Sequence, residues 1–122
     1  MPHAVVFALG QNDHHNALTE QDDLKCEGEH KALWKAEYKK IARGVLSHYP
    51  AGTPAVFITT LIRHARAWAE AITEIVAELR AEGLNAHQYL FRRNGDGTNG
   101  HPRIPEQTEM AEELAAFLKT VL

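Results

Sequence analysis

Three short apolar, β-prone runs punctuate the chain: Ala4 to Leu9, Ala55 to Thr60 and Ala86 to Phe91. The first two are nearly continuous apolar stretches, the pattern of parallel strands covered on both faces. His87 and Gln88 interrupt the third, which suits a strand at a sheet edge. Between and after these runs, apolar residues recur at helical spacing. Leu33, Trp34, Tyr38, Ile41, Val45 and Leu46 share one face of a first helix that ends before Pro50-Ala51-Gly52. Trp68, Ile72, Ile75, Val76 and Leu79 follow at steps of three and four, with Gly83 as the C′ stop. A last helix starts after Pro105 and carries Met110, Leu114, Phe117, Leu118 and Val121. Glu106, Glu109, Glu112 and Glu113 crowd its first turns, where the helix dipole favours anions. The order β-α-β-α-β-α predicts an α/β fold: a small three-layer parallel sheet of about three strands with three main helices and right-handed crossovers. A length of 122 residues makes this a single domain, 1–122.

That topology directs attention to one end of the sheet. Ligands of an open α/β sheet bind beyond the carboxyl ends of its strands. The loops expected there span 10–27, 61–65 and 92–105. They hold Asn12, Asp13, His14, His15, Arg63, His64, Arg92, Arg93, Asp96 and His101. The opposite end carries the turn Ser47-His48-Tyr49-Pro50. Trp34 and Trp68 lie on apolar helix faces and read as core rather than as substrate platforms.

Composition narrows the function classes. With 44% hydrophobic and 24% charged residues, the chain is too apolar for disorder and too interrupted by charge for a membrane span. Thirteen basic against sixteen acidic residues give a net charge of -3, so no general electrostatic attraction to nucleic acid or an anionic membrane is expected. The lone cysteine, Cys26, excludes an intramolecular disulfide and a Cys-only zinc site. The residues from Met1 to Leu9 have a short apolar core without a basic head or cleavage signal. They read as a strand rather than a signal peptide, and a cytoplasmic location is the expectation. There are eight histidines and a single serine, Ser47.

The first strand runs directly into Gly10-Gln11-Asn12-Asp13. The last loop reads Asn94-Gly95-Asp96-Gly97-Thr98-Asn99-Gly100-His101-Pro102-Arg103-Ile104-Pro105, before a helix containing Met110-Ala111. Together these motifs resemble the SGNH (GDSL-type) hydrolase superfamily, and within it the carbohydrate esterase family 2-like acylhydrolases. The strand-Gly-x-Asn-Asp turn is similar to the family's third block, and Gly-His-Pro before a terminal helix to its fifth. Trp34, Tyr38, Tyr49-Pro50 and the strand ending Thr59-Thr60 follow the spacing of its middle. The resemblance covers this whole chain but only the later part of the family's domain. It implies a truncated flavodoxin-like SGNH fold and a carboxylic ester hydrolase that deacetylates carbohydrate or small alcohol esters without cofactor or metal. By the same resemblance His101 is the base, Asn12 donates to the oxyanion and Asp13 ties the loop down. His14, Arg63 and His64 are the expected substrate contacts.

The departures from the family pattern define the questions. The Gly-Asp-Ser block with the nucleophile is absent, as is the block supplying a Gly backbone donor. Thr98 stands where the family places the Asp three residues before the His. Asp96 can orient His101 only if Gly95, Gly97 and Gly100 let the loop fold back; otherwise a backbone carbonyl must do so, giving a dyad. Candidate nucleophiles are Ser47, at the wrong end of the sheet, and Cys26, just before a helix whose dipole lowers a thiol pKa. Glu27 and Glu29 oppose that effect. Water activated at His101, or a hydroxyl from another chain, are the other routes. His14, His15, His64 and His101 could instead meet at a metal, although adjacent histidines in a polar loop are more often solvated. The competing functional class is a catalytically inactive SGNH-like fragment acting as an oligomeric interaction module. The family's strand order would leave Ala4 to Leu9 at an edge, so self-association through the first strand and its neighbouring helix is expected.

Overall fold

Val5–Phe7 (β1), Ala55–Ile58 (β2) and Ala86–Tyr89 (β3) form one parallel sheet in the order β1-β2-β3. This is a computed structural model; it describes residues 2–10, 28–59 and 66–122. The strands are shorter than the apolar runs that contain them. Between them run the helices Gly28–Leu46 (α1) and Arg66–Ala81 (α2), and Ile104–Val121 (α3) closes the fold. The expected α/β class is what the chain adopts, with three parallel strands and three main helices among the described residues. As expected, β3 is an edge strand among the described residues, and β1 is the other edge.

Side-chain alternation along each strand divides the core in two. In register, Val5, Ala55 and Ala86 form one row and Phe7, Phe57 and Gln88 the next. These rows face α1 and α2, where Tyr38, Ala42, Leu46, Ile72, Ile75, Val76 and Leu79 are buried. Phe7 and Phe57 stack at 4.8 Å between ring centroids, with Tyr38 against Phe57 at 5.5 Å. Gln88 is polar on this face, and α2 satisfies it: its amide accepts from Thr73 Oγ1 at 2.8 Å and donates to the Ala69 carbonyl at 3.3 Å. On the other face Val56 and Ile58 pack with Phe91 and Met110, and Leu114, Phe117, Leu118 and Val121 of α3 join them. α3 thus covers β2 and β3, while Val6 of β1 stays exposed.

The helix faces correct one expectation. Leu33 and Ile41 are exposed, and the buried stripe of α1 runs through Tyr38, Ala42 and Leu46, with Trp34 and Val45 partly covered. Ala42, wholly buried, leaves room for the sheet to approach where a larger side chain would hold it off. Trp34 and Trp68 are core, as expected, with centroids 4.7 Å apart in an edge contact. Gly83 ends α2 at φ +89°: its N–H donates to the Arg80 carbonyl and the Leu84 N–H to that of Leu79. This paired closure requires a left-handed residue.

Along the α1–α2 contact the chain builds an ion-pair ladder. Lys31 and Lys35 donate to Glu74 at 2.6 and 2.7 Å; Lys35 also reaches Glu78 at 2.5 Å. Lys39 bonds the second oxygen of Glu78, and Arg43 forks onto Glu82 at 2.8 and 2.6 Å. Both series step by four, so parallel helices keep them in register. The bonds from Lys31 and Lys35 hold the Glu74 carboxyl below the usual range, and those from Lys35 and Lys39 do the same for Glu78. Burial pushes the Lys35 ammonium down, but its bonds to Glu74 and Glu78 outweigh this and raise it.

Candidate functional site

The carboxyl ends of β1, β2 and β3 lead to Gly10, Thr59 and Leu90. Gly10 is required by close approach: at φ +100°, its missing β-carbon would stand 3.1 Å from Trp34 Cζ2. Leu9 N–H donates to the Tyr38 hydroxyl at 3.4 Å, which fixes the end of β1 over α1. Thr59 is buried, and its N–H donates to the Tyr89 carbonyl at 3.0 Å. From this end the chain departs toward Asn12, Asp13, His14, Arg63 and His64, which lie outside the described residues, as do His15 and Cys26.

The described part of the expected site is the 92–103 segment between β3 and α3. It folds back on itself around its glycines. Gly97 N–H donates to the His101 carbonyl at 2.8 Å, Gly100 N–H to Gly97 at 2.9 Å and His101 N–H to Thr98 at 3.2 Å. Residues Thr98–Gly100 form a single 3-10 turn, with Gly100 at φ +78°. The turn brings the Thr98 carbonyl to 2.8 Å from His101 Nδ1. A carbonyl only accepts, so Nδ1 carries the hydrogen and Nε2 of the neutral ring carries the lone pair. His101 itself is exposed.

Asp96 does not take the orienting place in this structure. Its carboxylate pairs with Arg93 Nη1 at 3.2 Å and Arg103 Nη2 at 3.5 Å. Of the two ways to orient His101, the fold uses the backbone carbonyl. Both arginines are also bound by α3. Arg93 forks onto Glu109 at 2.9 and 2.8 Å, and Arg103 Nη2 meets Glu106 at 2.8 Å. Glu106, 1% exposed, also accepts from the Arg103 backbone N–H at 2.6 Å, satisfying a donor at the start of α3. The Arg103 guanidinium holds the Glu106 carboxyl below its usual range against desolvation, and Arg93 does the same for Glu109. Arg93 is thus held between Asp96 of its own loop and Glu109 of α3. The helix dipole accounts for Glu106 and Glu109 in the first turns but does not point to their arginine partners; the three-residue step from Arg103 to Glu106 at a helix start is the available signal.

Beside this network a cleft of about 430 Å³ is lined by Arg92, Arg93, Glu109, Glu112, Glu113 and Ala116. Glu113 accepts from the Tyr89 hydroxyl at 3.0 Å and from Arg92 N–H at 3.2 Å. Burial, then that bond to Glu113, raises the Tyr89 phenol. Ser47 lies beyond the end of α1, on the side where the chain enters β2, and its hydroxyl donates to the Gly44 carbonyl at 2.7 Å. It is at the opposite end of the sheet from His101. Among the described residues, no three of His, Cys, Asp and Glu are grouped to hold a metal, and no helix is long and apolar enough to cross a membrane. No protein-family model, curated protein or solved structure matches the chain.

Proposed function

We propose that the chain is an SGNH-like carboxylic ester hydrolase on a flavodoxin-like strand order, removing short acyl groups, acetyl foremost, from carbohydrate or small alcohol esters. The observation that supports it most is the His101 imidazole, with Nδ1 held by the Thr98 carbonyl and Nε2 left as the basic nitrogen. It stands between a parallel strand and the helix that follows, at the end of the sheet where such folds bind ligands. In this reading Nε2 takes a proton from the attacking oxygen or sulfur nucleophile and returns it to the leaving alcohol. A carbonyl stabilises the imidazolium less than a carboxylate does, so the pair works as a dyad rather than a triad. Asn12, two residues beyond Gly10, donates its amide to the oxyanion. Asp13 anchors its loop, and His14, Arg63 and His64 meet the substrate.

Hydrolysis of p-nitrophenyl acetate by the full chain tests this. His101→Ala is expected to lower the rate about 10²- to 10⁴-fold, the usual worth of a positioned base. Asn12→Ala should cost about 10²- to 10³-fold. Ser47→Ala should leave the rate unchanged, whereas loss on Cys26→Ala would make the thiol the nucleophile. Hydrolysis that does not depend on His101 sinks the reading.

One observation favours the second reading, a non-catalytic interaction module. Val6 and Leu9, each 40% exposed, lie in and just after an edge strand that α3 leaves uncovered. Association of two copies through β1 and α1 would cover them. Sedimentation as a monomer at micromolar concentration would remove that alternative.

A further inference from the structure

Asp96 is the residue type that orients a catalytic histidine, yet it is spent on two arginines. Each arginine is in turn gripped by a carboxylate of α3. The result is a chain of alternating charge, Glu109–Arg93–Asp96–Arg103–Glu106, that fastens the loop before His101 to the first turns of α3. Its buried end is Glu106, bound both to the Arg103 side chain and to the Arg103 backbone. Its middle, Asp96, lies between two glycines packed on the histidine's own backbone. A β-carbon at Gly95 would fall 2.1 Å from the His101 carbonyl carbon, and one at Gly97 would fall 2.6 Å from the His101 oxygen. The Arg103 Cγ would be 3.3 Å from that same Gly97 β-carbon. The charges therefore act on the part of the backbone that carries the Thr98 carbonyl to Nδ1.

We propose that this charge chain is the positioning device of His101, with Asp96, Arg93 and Arg103 acting through the loop backbone to select the tautomer whose Nε2 is free. Surface ion pairs contribute little to stability one at a time. Here they determine geometry, because two planar guanidinium forks fix the direction as well as the distance of their partners. The catalytic meaning of the device rests on the acyl-transfer reading above; the tautomer selection does not.

The test reads the ring directly. Two-bond ¹H–¹⁵N correlation spectra of the full chain, labelled at histidine and recorded near pH 8, report which nitrogen of each neutral imidazole carries the hydrogen. Wild-type His101 is expected as the Nδ1–H form. Asp96 and Arg103 are each 60% exposed in their side chains; Asp96→Asn touches no buried group, Arg103→Gln leaves Glu106 its bond from the residue 103 backbone N–H, and far-UV circular dichroism verifies that both variants fold. Each should lower the Nδ1–H to Nε2–H ratio about two- to tenfold, the net worth of one hydrogen bond. Glu112→Gln, on the same helix but outside the chain, should leave the ratio unchanged. An unaltered ratio in the first two variants, an equal shift in the Glu112 control, or a wild-type Nε2–H ring each overturns the proposal. Absence of His101-dependent ester hydrolysis would remove the acyl-transfer reading without moving these spectra, so the two fail separately.

Discussion

At position 95 a β-carbon would fall 2.1 Å from both the His101 carbonyl carbon and the Pro102 nitrogen, which are backbone atoms rather than the end of a flexible side chain. Gly95→Ala is therefore expected to cost about 1–3 kcal/mol, the range of overpacked sites, read as a lower urea midpoint. His101-dependent hydrolysis should fall with it, because relief requires the His101–Pro102 peptide to move. Gly44 gives the opposite case. It lies within α1, with nothing within 4 Å of a β-carbon. Gly44→Ala should raise stability by about 0.5–1 kcal/mol, since only the helical cost of glycine is removed. A midpoint that falls would contradict this. The two glycines look alike in the sequence. What separates them is the fold-back of 94–101, a tertiary contact that no local pattern states. The same fold-back decides Asp96. The sequence leaves open a carboxylate or a carbonyl on His101, and the outcome turns on Arg93 and Arg103, which α3 carboxylates hold and which hold Asp96 in turn.

At the scale of elements, most of the architecture was legible. The apolar runs became the three strands, and the stripe Trp68, Ile72, Ile75, Val76, Leu79 became the buried face of α2. The first helix was less so, because Leu33 and Ile41 are apolar but point away from the core. Periodicity counts apolar residues and does not weigh the lysines beside them. Lys31, Lys35, Lys39 and Arg43 step by four on α1, and Glu74 and Glu78 on α2 are followed, four residues on and just past its end, by Glu82. Each series alone reads as a solvated face. Only the adjacency of the helices makes them partners and fixes the rotation of α1. Glu78→Gln removes the charge shared by Lys35 and Lys39, and should destabilise by about 1 kcal/mol at low salt. The loss should shrink toward zero at about 1 M salt, where the Debye length is near 3 Å. A salt-independent loss of the same size would assign the effect to packing instead.

For the molecule as a whole, the shifted groups predict how stability follows pH. Glu74, Glu78, Glu106 and Glu109 titrate below 4.5 in the fold, held by Lys31, Lys35, Arg103 and Arg93 respectively. A depressed carboxylate contributes stability that is complete above its unfolded pKa and is lost as pH falls through the folded value. Their loss therefore begins below about pH 4.5. His87 adds an earlier step. It faces α3 from β3, edge-on to Phe117 at 6.5 Å, with Asn85 Oδ1 at 2.8 Å from Nε2. Burial, then the positive charge of Arg80, lowers it from 6.5. A base with a lowered folded pKa favours the neutral ring, so stability is complete above 6.5 and declines as pH falls through the folded value. On the alkaline side the signs reverse. Lys35 is raised above 10.5 by its two glutamates despite burial, and Tyr89 above 10.0 by burial and then Glu113. Their contributions are complete below those values and are lost as pH rises through the folded ones. Thermal melts from pH 3 to 11 should then show a plateau from about pH 6.5 to 10, a shallow decline just below it and a steeper one below about 4.5. His87→Gln should abolish the shallow decline and leave the steep one in place. A shallow decline that survives the substitution would mean that the weak point near neutrality lies elsewhere than under α3.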